Sequence, residues 1–324
     1  MLSQIRARVF VSRRIPPKAL QMLQAGCDVN CWDSDEPPSR KGYLDSVRGI
    51  DALFCLLTDK IDAELLDAAG PGLKVVSTMS VGHDHIDLQE CKARKITVGY
   101  TPGILTSATA ELTVALLLAT SRRLKEGMRA VVNGEWGTWK PTWLCGSGLD
   151  GSTVGIVGLG RIGIAVAQCL KPFGVAQFLY SGRSEKPEAE SIKAKFVPFD
   201  DLLQTSDFVI ACCALTQDTA GLFNKDAFSK MKKSAIFVNS SRGGVVNQED
   251  LLHALTSGEI AGAGLDVTSP EPLPTDNPLL KLDNCVVLPH IGSATYSTRE
   301  AMAVLAAENL LAGVRGEPMP CQLD

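Results

Sequence analysis

Short apolar strands alternate with polar, helix-compatible segments along the whole 324-residue chain. The clearest strands read "RVFVS", "KVVSTMS", "TVGIVG", "QFLYS", "DFVIACC" and "AIFVN". This alternation is typical of βαβ units, in which successive strands pair in parallel. The chain is also too long for one compact core. The sequence therefore predicts an α/β fold with two domains, each a doubly wound, Rossmann-like parallel sheet.

Two long helical segments indicate how the chain is divided between the domains. The first, residues 104–124, can begin at a cap on Thr106 or Ser107 and directly precedes a Gly-rich unit. Its apolar residues at helical spacing are Leu112, Ala115, Leu116 and Ala119. We expect these residues to share one face, and the helix to act as a bridge between domains.

The second helical segment, residues 297–313, follows the last predicted strand. Ser297 and Glu300 match a capping box, and Gly313 matches a stop signal. Because the second sheet is complete at this point, we expect the helix to return to the first domain. The predicted domains are residues 1–104 with 291–324, and residues 105–290.

The stretch "VGIVGLGRIG", residues 154–163, has the spacing of a dinucleotide-binding turn. Gly158 would allow the tight turn, Gly160 the approach of a pyrophosphate, and Gly163 close packing of helix on strand. The first N–H groups of the helix would bind the pyrophosphate. Since a strand precedes the turn and a helix follows it, we interpret it as a cofactor site. The predicted contacts are Gly158, Leu159, Gly160, Arg161, Ile162 and Gly163.

The strand that follows lacks the acidic residue that NAD-binding sites place on the ribose 2′-hydroxyl. Ser181 stands at that position, Arg183 comes two residues later, and no Asp or Glu lies between Gly163 and Glu185. A hydroxyl and a guanidinium together suit a 2′-phosphate. We therefore expect NADPH to bind better than NADH, unless Arg183 is only a solvated loop charge. The predicted contacts are Ser181, Gly182, Arg183 and Ser184.

Three ionisable residues each follow an apolar strand in the second half of the chain. Arg242 follows "AIFVN", Glu271 follows "AGLDV" and His290 follows "CVVLP". Ligands of open α/β sheets bind beyond the carboxyl ends of the strands, so these side chains are expected at one edge. Taken singly, each has a simpler interpretation: a turn charge, an exposed carboxylate and a structural histidine.

Composition narrows the function further. The net charge of −4 gives no basic footprint for a nucleic acid. The ten cysteines include no C-x-x-C, which indicates reduced thiols and no metal site. His83 and His85 form an H-x-H, but no third ligand is evident. No apolar run is long enough to cross a bilayer.

A cytoplasmic location is the default expectation for such a chain. The first residues are rich in arginine and free of acidic residues, which leaves a transit peptide, and hence a minor mitochondrial pool, as the alternative. Against that alternative, "RVFVSRRIPPKALQMLQAG" has the pattern of a strand, a turn and a helix opened by proline.

Five stretches together resemble a known family: "VGHDHIDL", "GLGRIG", "SRGGVVN", "GLDVTSPEPLP" and "PHIGSAT". Their order and spacing are similar to those of the D-2-hydroxyacid dehydrogenases over essentially the whole chain. Within the family, the likeness is greatest to reductases of glyoxylate and hydroxypyruvate. It is carried by "WDSDEP", "SVGHDH", "WKPTWLCG", "YSGR" and "RGEPMP".

The resemblance implies a domain organisation, an assembly and a reaction. Residues 1–104 and 291–324 would form a discontinuous substrate-binding domain, and residues 105–290 an NADP-binding domain. The family forms homodimers, mainly through the nucleotide domain. The implied substrates are small 2-oxo and 2-hydroxy acids, with glyoxylate reduced to glycolate and hydroxypyruvate to D-glycerate.

The resemblance also implies roles for the three ionisable residues. His290 would pass a proton to the keto oxygen, Glu271 would hold His290 protonated, and Arg242 would pair with the substrate carboxylate. The physical logic agrees with these roles. Hydride transfer to a ketone carbon develops negative charge on its oxygen, and a protonated imidazole stabilises that charge and then donates.

Further contacts are carried over from the same motifs. The implied substrate contacts are Val81, Gly82, Arg242, Asp266, His290 and Trp139. The additional cofactor contacts are Thr109, Ala214, Ser240 and Gly292. Trp139 lies in a loop with Trp136 and Trp143, and two interpretations stay open. The loop packs a dimer interface, or one tryptophan limits an active site to two- and three-carbon acids.

Other members of the fold are alternatives. A 3-phosphoglycerate dehydrogenase often has added regulatory domains and an acidic NAD-type residue, and neither is found here. Formate dehydrogenases of the family usually pair the histidine with Gln, where this chain has Glu271. A binding protein of the C-terminal-binding corepressor type would sense a dinucleotide without turnover.

Overall fold

The computed structural model describes residues 6–323 of the chain. The chain divides into two compact units, and the first is discontinuous. It contains the chain up to Leu105 and from Ala294 onward, whereas the second unit is Thr106–Ser293.

The amino-terminal part of the first unit alternates strands and helices. In chain order these are β1 (Arg8–Val11), α1 (Pro17–Gly26), β2 (Asp28–Cys31), α2 (Arg40–Ser46), β3 (Ala52–Cys55), α3 (Ala63–Ala69), β4 (Val75–Thr78), α4 (Leu88–Ala93) and β5 (Thr97–Gly99).

The second unit begins with two helices and then alternates. Its elements are α5 (Thr106–Ser121), α6 (Leu124–Val132), β6 (Thr153–Val157), α7 (Arg161–Leu170), β7 (Gln177–Ser181), β8 (Lys195–Phe196), α8 (Phe199–Thr205), β9 (Phe208–Ala211), α9 (Lys225–Lys230), β10 (Ile236–Asn239), α10 (Gln248–Ser257), β11 (Gly262–Leu265) and β12 (Cys285–Val287). Short 3₁₀ turns cover Lys171–Phe173, Pro187–Ile192, Gly243–Val245 and Pro278–Lys281. The chain then returns to the first unit with α11 (Tyr296–Arg315) and β13 (Gln322–Leu323).

Each unit contains one sheet, and both sheets are doubly wound. The first has the order β13-β5-β4-β3-β1-β2, parallel except where β13 pairs antiparallel with β5. The second has the order β12-β11-β10-β9-β6-β7-β8 and is parallel throughout. The predicted α/β class with two parallel sheets is confirmed.

The second sheet has a hydrophobic core on each of its faces. In β9, Val209 packs with residues of α8, α9 and α10, whereas the next residue, Ile210, packs with residues of α5 and α7. Alternate side chains of a strand point to opposite faces, so a strand covered on both sides is apolar throughout. This is why the central strands read as unbroken apolar runs. Within residues 6–323, no helix has the length and apolar character needed to span a membrane.

The predicted ends of α11 are wrong. The helix begins one residue earlier, at Tyr296, and Thr295 caps it by accepting a hydrogen bond from the N–H of Thr298. It continues past Gly313 and ends at Arg315, and the next residue, Gly316, has the left-handed conformation of a helix stop. Gly313 is required for packing instead, because a Cβ there would lie 2.7 Å from Val75 and 2.5 Å from Met319.

The face of α5 that carries the four predicted residues is only partly buried. Leu116 is buried, but Ala115 is exposed and Leu112 is only half-buried. The buried face instead contains three threonines and their neighbours: Thr109, Ala110, Thr113, Leu117 and Thr120. Threonine hydroxyls that bond to carbonyls within the helix let polar residues occupy a buried face, which apolar spacing alone does not indicate.

Candidate active site

The glycine turn between β6 and α7 has the space that a pyrophosphate needs. Gly158 has a φ of +92°, and a Cβ there would lie 2.6 Å from the backbone of Cys213. A Cβ on Gly163 would lie 2.8 Å from the carbonyl oxygen of Gly158. At Gly160 a Cβ would meet no atom within 4 Å, so this face of the turn is open. The described residues provide no side-chain cap for α7, and its first N–H groups remain available to an anion.

The other predicted residues of this turn differ in exposure. Leu159 is buried and Ile162 half-buried, and both side chains pack into the core beside α5 and α7. Their side chains are therefore used in packing, and only their backbone groups face the turn. Arg161 is exposed at the first position of α7.

The loop after β7 begins beside the glycine turn. The N–H of Gly158 donates a 2.8 Å hydrogen bond to the carbonyl of Ser181. Ser181 is buried, whereas Gly182, Arg183 and Ser184 are exposed. A Cβ on Gly182 would meet no atom within 4 Å. The fold thus places this loop where the adenosine ribose lies in Rossmann folds.

A histidine–carboxylate pair follows β11 and β12. His290 Nδ1 lies 2.9 Å from Glu271 Oε2, and Glu271 Oε1 accepts a 2.9 Å hydrogen bond from the N–H of Thr268. His290 has a φ of +53°, a left-handed conformation that is strained for most non-glycine residues. Its N–H donates to the carbonyl of Asp266 at 2.8 Å, which helps hold that conformation.

The environment of Glu271 favours its ionised form. Burial by itself raises the pKa of this carboxyl. The hydrogen bonds from His290 and Thr268 outweigh burial, so the pKa of Glu271 lies below its usual value. The charges of His290 and Arg242 act in the same direction. With an ionised acceptor, Nδ1 of His290 carries the proton of this hydrogen bond, and Nε2 remains for chemistry.

Asp266 stabilises the turn that carries His290. Its two carboxylate oxygens accept hydrogen bonds from the N–H groups of Ile291 and Gly292, each at 2.8 Å. The residue is buried, and burial raises the pKa of its carboxyl despite these bonds. A Cβ on Gly292 would lie 3.0 Å from Asp266 and 3.4 Å from Thr109. The glycine therefore lets these two groups approach the turn.

Arg242 lies in a loop ordered by the end of β10. The side-chain amide of Asn239 donates to the carbonyl of Arg242 at 2.9 Å and accepts from the N–H of Ser241 at 3.0 Å. Arg242 Nη1 donates to the carbonyl of Ser241 at 3.0 Å. Asn239 is buried and was not predicted as a site residue. Its position as the last residue of a buried strand was the available signal.

Ser240 and Thr109 are linked through one threonine of α5. The hydroxyls of Ser240 and Thr113 are 2.7 Å apart, and the Thr113 hydroxyl donates to the carbonyl of Thr109 at 2.7 Å. The structure therefore brings two predicted cofactor residues from distant positions together. The carbonyl of Ala214, in the loop after β9, accepts a 2.6 Å hydrogen bond from the Thr219 hydroxyl.

Gln248, the first residue of α10, holds the loop that carries Glu271. Its side-chain amide donates to the carbonyl of Ser269 and accepts from the N–H of Ser269 at 3.1 Å. The Thr268 hydroxyl adds a 2.9 Å hydrogen bond to the carbonyl of Pro270. Sequence reasoning missed Gln248, because a glutamine in the first turn of a helix gives no signal of a long-range contact.

Val81 and Gly82 lie in the first unit, in the loop after β4. The Ser80 hydroxyl donates to the carbonyl of Gly82 at 2.7 Å and lies 2.8 Å from the Thr78 hydroxyl. Within the described part of the chain, the N–H groups of Val81 and Gly82 have no acceptor. This short loop thus presents two adjacent N–H donors in a fixed backbone conformation.

Comparison with known proteins places this geometry in a family. Residues 114–292 match the model of the D-isomer specific 2-hydroxyacid dehydrogenase, NAD binding domain. The chain belongs to the D-isomer specific 2-hydroxyacid dehydrogenase family. It is therefore an oxidoreductase, and its second unit binds a nicotinamide dinucleotide.

Individual members of the family are similar over their whole length. The human glyoxylate reductase/hydroxypyruvate reductase is 60% identical over 319 residues, which cover 98% of this chain and 97% of the human protein. A solved structure from Thermus thermophilus has a TM-score of 0.91 at 44% identity, covering 98% of this chain and all (100%) of that one. The NADPH-dependent glyoxylate/hydroxypyruvate reductase of Sinorhizobium meliloti, solved with NADP and malonate, has a TM-score of 0.85 at 31% identity over 98% of this chain and 97% of that one.

The tryptophan segment of this dehydrogenase lies after α6. Trp136 and Trp139 are 68% and 81% exposed, and Lys140 Nζ lies 5.8 Å from the centre of the Trp143 ring. In the described chain neither of the two exposed rings packs into the core of its own unit. Among residues 6–323 no group of three or more His, Cys, Asp or Glu side chains is arranged to hold a metal ion.

Proposed function

We propose that the protein reduces glyoxylate to glycolate and hydroxypyruvate to D-glycerate, with NADPH as reductant. The observation that carries this proposal is the His290–Glu271 pair at the same sheet edge as the open glycine turn. The names of the human and Sinorhizobium meliloti relatives support the choice of substrates.

The proposed cofactor preference depends on the loop after β7. When bound, NADPH supplies the hydride that adds to the 2-oxo carbon. Gly160 and the start of α7 would hold the pyrophosphate, and the guanidinium of Arg183 would pair with the 2′-phosphate. Among the described residues no carboxylate pairs with Arg183, so its charge is available for that contact. The solved relative titled NADPH-dependent supports the same preference.

His290 is the proposed proton donor. Glu271 holds the proton on Nδ1 and stabilises the imidazolium, so Nε2 can donate to the substrate oxygen as negative charge develops there. The bond that forms is O–H, and the imidazole becomes neutral. In the oxidative direction the neutral Nε2 accepts the proton of the 2-hydroxyl.

The substrate carboxylate is the proposed ligand of Arg242 and of the N–H groups of Val81 and Gly82. A guanidinium binds a carboxylate through two parallel hydrogen bonds, which fixes the face that the adjacent carbonyl presents. Asp266 is proposed to act beside the substrate by holding the His290 turn. In this proposal the first unit binds substrate and the second binds cofactor.

We further propose a homodimer and a cytoplasmic location. Four side chains of α6 are large, apolar and exposed: Leu124, Met128, Val131 and Val132. Trp136 is exposed as well, and monomers rarely expose so many large apolar side chains, so a second copy is the proposed occupant of the α6 face. All ten cysteines are free thiols, which supports a reducing compartment. Light scattering on the wild type and on Met128→Glu tests the dimer, which the charge should weaken.

Trp139 is proposed to limit the size of the substrate. Trp139→Ala should then raise kcat/KM for bulky 2-oxo acids relative to glyoxylate, with the oligomer intact. A mutant that dissociates or unfolds earlier with unchanged selectivity would assign Trp139 to the dimer interface instead.

A steady-state panel tests the function directly. The purified protein is assayed with glyoxylate, hydroxypyruvate, pyruvate and 3-phosphohydroxypyruvate, each with NADPH and with NADH. The proposal requires the highest kcat/KM for the first two acids with NADPH. Preference for the phosphorylated acid would favour a 3-phosphoglycerate dehydrogenase. Cofactor binding without turnover of any acid would favour a dinucleotide sensor of the corepressor type.

A further inference from the structure

Tyr180, in β7, makes a contact that sequence reasoning did not anticipate. The residue is buried, and its ring packs against Phe196 with centroids 5.2 Å apart. Its hydroxyl accepts a 2.9 Å hydrogen bond from the backbone N–H of Lys186. This single bond joins the strand to the far end of the loop that carries Arg183.

The loop has few other restraints. At its start, the carbonyl of Ser181 accepts the hydrogen bond from Gly158. In the described structure, residues 182–185 form no hydrogen bond of their own. All four are exposed, so packing does not fix their conformation. The Tyr180 hydroxyl is therefore the contact that closes the loop.

We infer that Tyr180 is a positioning residue for cofactor specificity: its hydroxyl fixes the loop so that Arg183 is presented to a 2′-phosphate. The inference rests on the proposed preference for NADPH. Tyr180 does not bind the phosphate itself, because the residue is buried whereas Arg183 is exposed. Its effect must therefore pass through Arg183, and it should vanish when either the guanidinium or the phosphate is removed.

Tyr180→Phe is the matched variant, because it removes one oxygen and keeps the ring against Phe196. A neutral hydrogen bond of this kind corresponds to roughly 2- to 10-fold in affinity. Tyr180→Phe should raise the Kd of NADPH by about that factor and leave the Kd of NADH unchanged, as measured by calorimetric titration. Tyr43→Phe, which removes a buried hydroxyl from α2 of the other unit, should change neither.

Arg183→Ala and the double variant separate the inference from the function on which it rests. If Tyr180 acts through Arg183, Tyr180→Phe has no further effect on NADPH in the Arg183→Ala background. Selective loss of NADPH in Arg183→Ala but not in Tyr180→Phe overturns the inference alone. Equal loss of both cofactors in Arg183→Ala overturns the proposed NADPH preference.

Hydrogen exchange gives a second readout that does not depend on binding. The Lys186 amide should be protected in the wild type and exchange faster in Tyr180→Phe, while amides of the sheet keep their protection. Unchanged exchange at Lys186 would show that the hydroxyl does not restrain the loop, and would overturn the inference.

Discussion

The turn that carries His290 and the loop that carries Arg183 both follow strands of the second sheet, but they are held very differently. The first is fixed by the buried Asp266, by the Glu271 carboxylate and by a backbone hydrogen bond. The second is closed by one tyrosine hydroxyl, and its tip is exposed.

The difference agrees with the two chemical tasks. A proton donor must meet a developing charge in one geometry, so its orientation is fixed before the substrate arrives. An exposed arginine needs only to reach a phosphate, and its side chain is long enough to adjust. We therefore expect changes at the His290 turn to affect kcat, and changes at the Arg183 loop to affect cofactor affinity.

The largest expected effect is that of His290→Asn. Asn tolerates the positive φ of this position, so the change removes the proton donor with little backbone strain. Loss of a general acid should lower kcat for glyoxylate by roughly 10²- to 10⁴-fold. His253→Asn, at an exposed histidine of α10, is the control and should keep full activity. A loss at position 290 of less than a few-fold would remove His290 from the mechanism.

Arg183→Ala is expected to have the next largest effect. Removing one charge-assisted contact should raise the Kd of NADPH by roughly 10- to 150-fold. The Kd of NADH and the kcat with saturating NADH should stay near wild-type values. Lys171→Ala, at the exposed residue that follows α7, serves as the control for a general loss of positive charge.

Glu271→Gln tests whether Glu271 acts on His290 through its negative charge or only holds the ring in place. Because the pKa of Glu271 lies below its usual value, it is ionised throughout the neutral range, and the substitution removes a constant negative charge. The charge that stabilises the protonated donor is then lost, so reductive kcat/KM should fall, and should fall most on the alkaline side. The oxidative reaction needs the neutral imidazole and should keep or gain activity on the acid side.

The matched control is Glu259→Gln, which removes a carboxylate 3.7 Å from His253. It should leave both pH profiles in place. If Glu271→Gln lowers both directions equally at every pH, the carboxylate only orients the ring.

Gln248→Ala should have the smallest effect of the four. The change removes two hydrogen bonds to Ser269 and loosens the Glu271 loop, which we expect to lower kcat roughly 3- to 10-fold. In a Glu271→Gln background, Gln248→Ala should lower kcat much less, because the side chain that Gln248 positions is already neutral. Full additivity of the two changes would mean that Gln248 acts on stability rather than through Glu271. Glu249→Ala, the exposed neighbour on α10, is the control.

The sequence alone determined the fold class and the family. Strand–helix alternation is a local pattern, and the pleat and the helical repeat convert it directly into parallel sheets. The glycine turn could also be predicted from the sequence, because the positive φ at Gly158 is a conformation that favours glycine. The order of Arg242, Glu271 and His290 after strands placed them at one edge, since parallel strands end on the same side.

Only the tertiary structure decided the contacts that link distant positions. Gln248 reaches Ser269, Tyr180 closes the Arg183 loop, and Gly313 is small because Val75 lies beside it. In type and spacing, Gln248 looks like any helix residue, Tyr180 like any strand residue, and Gly313 like any glycine at a helix end. Their partners are set by how the elements pack in space, and a local pattern contains no information about atoms that approach from elsewhere in the chain.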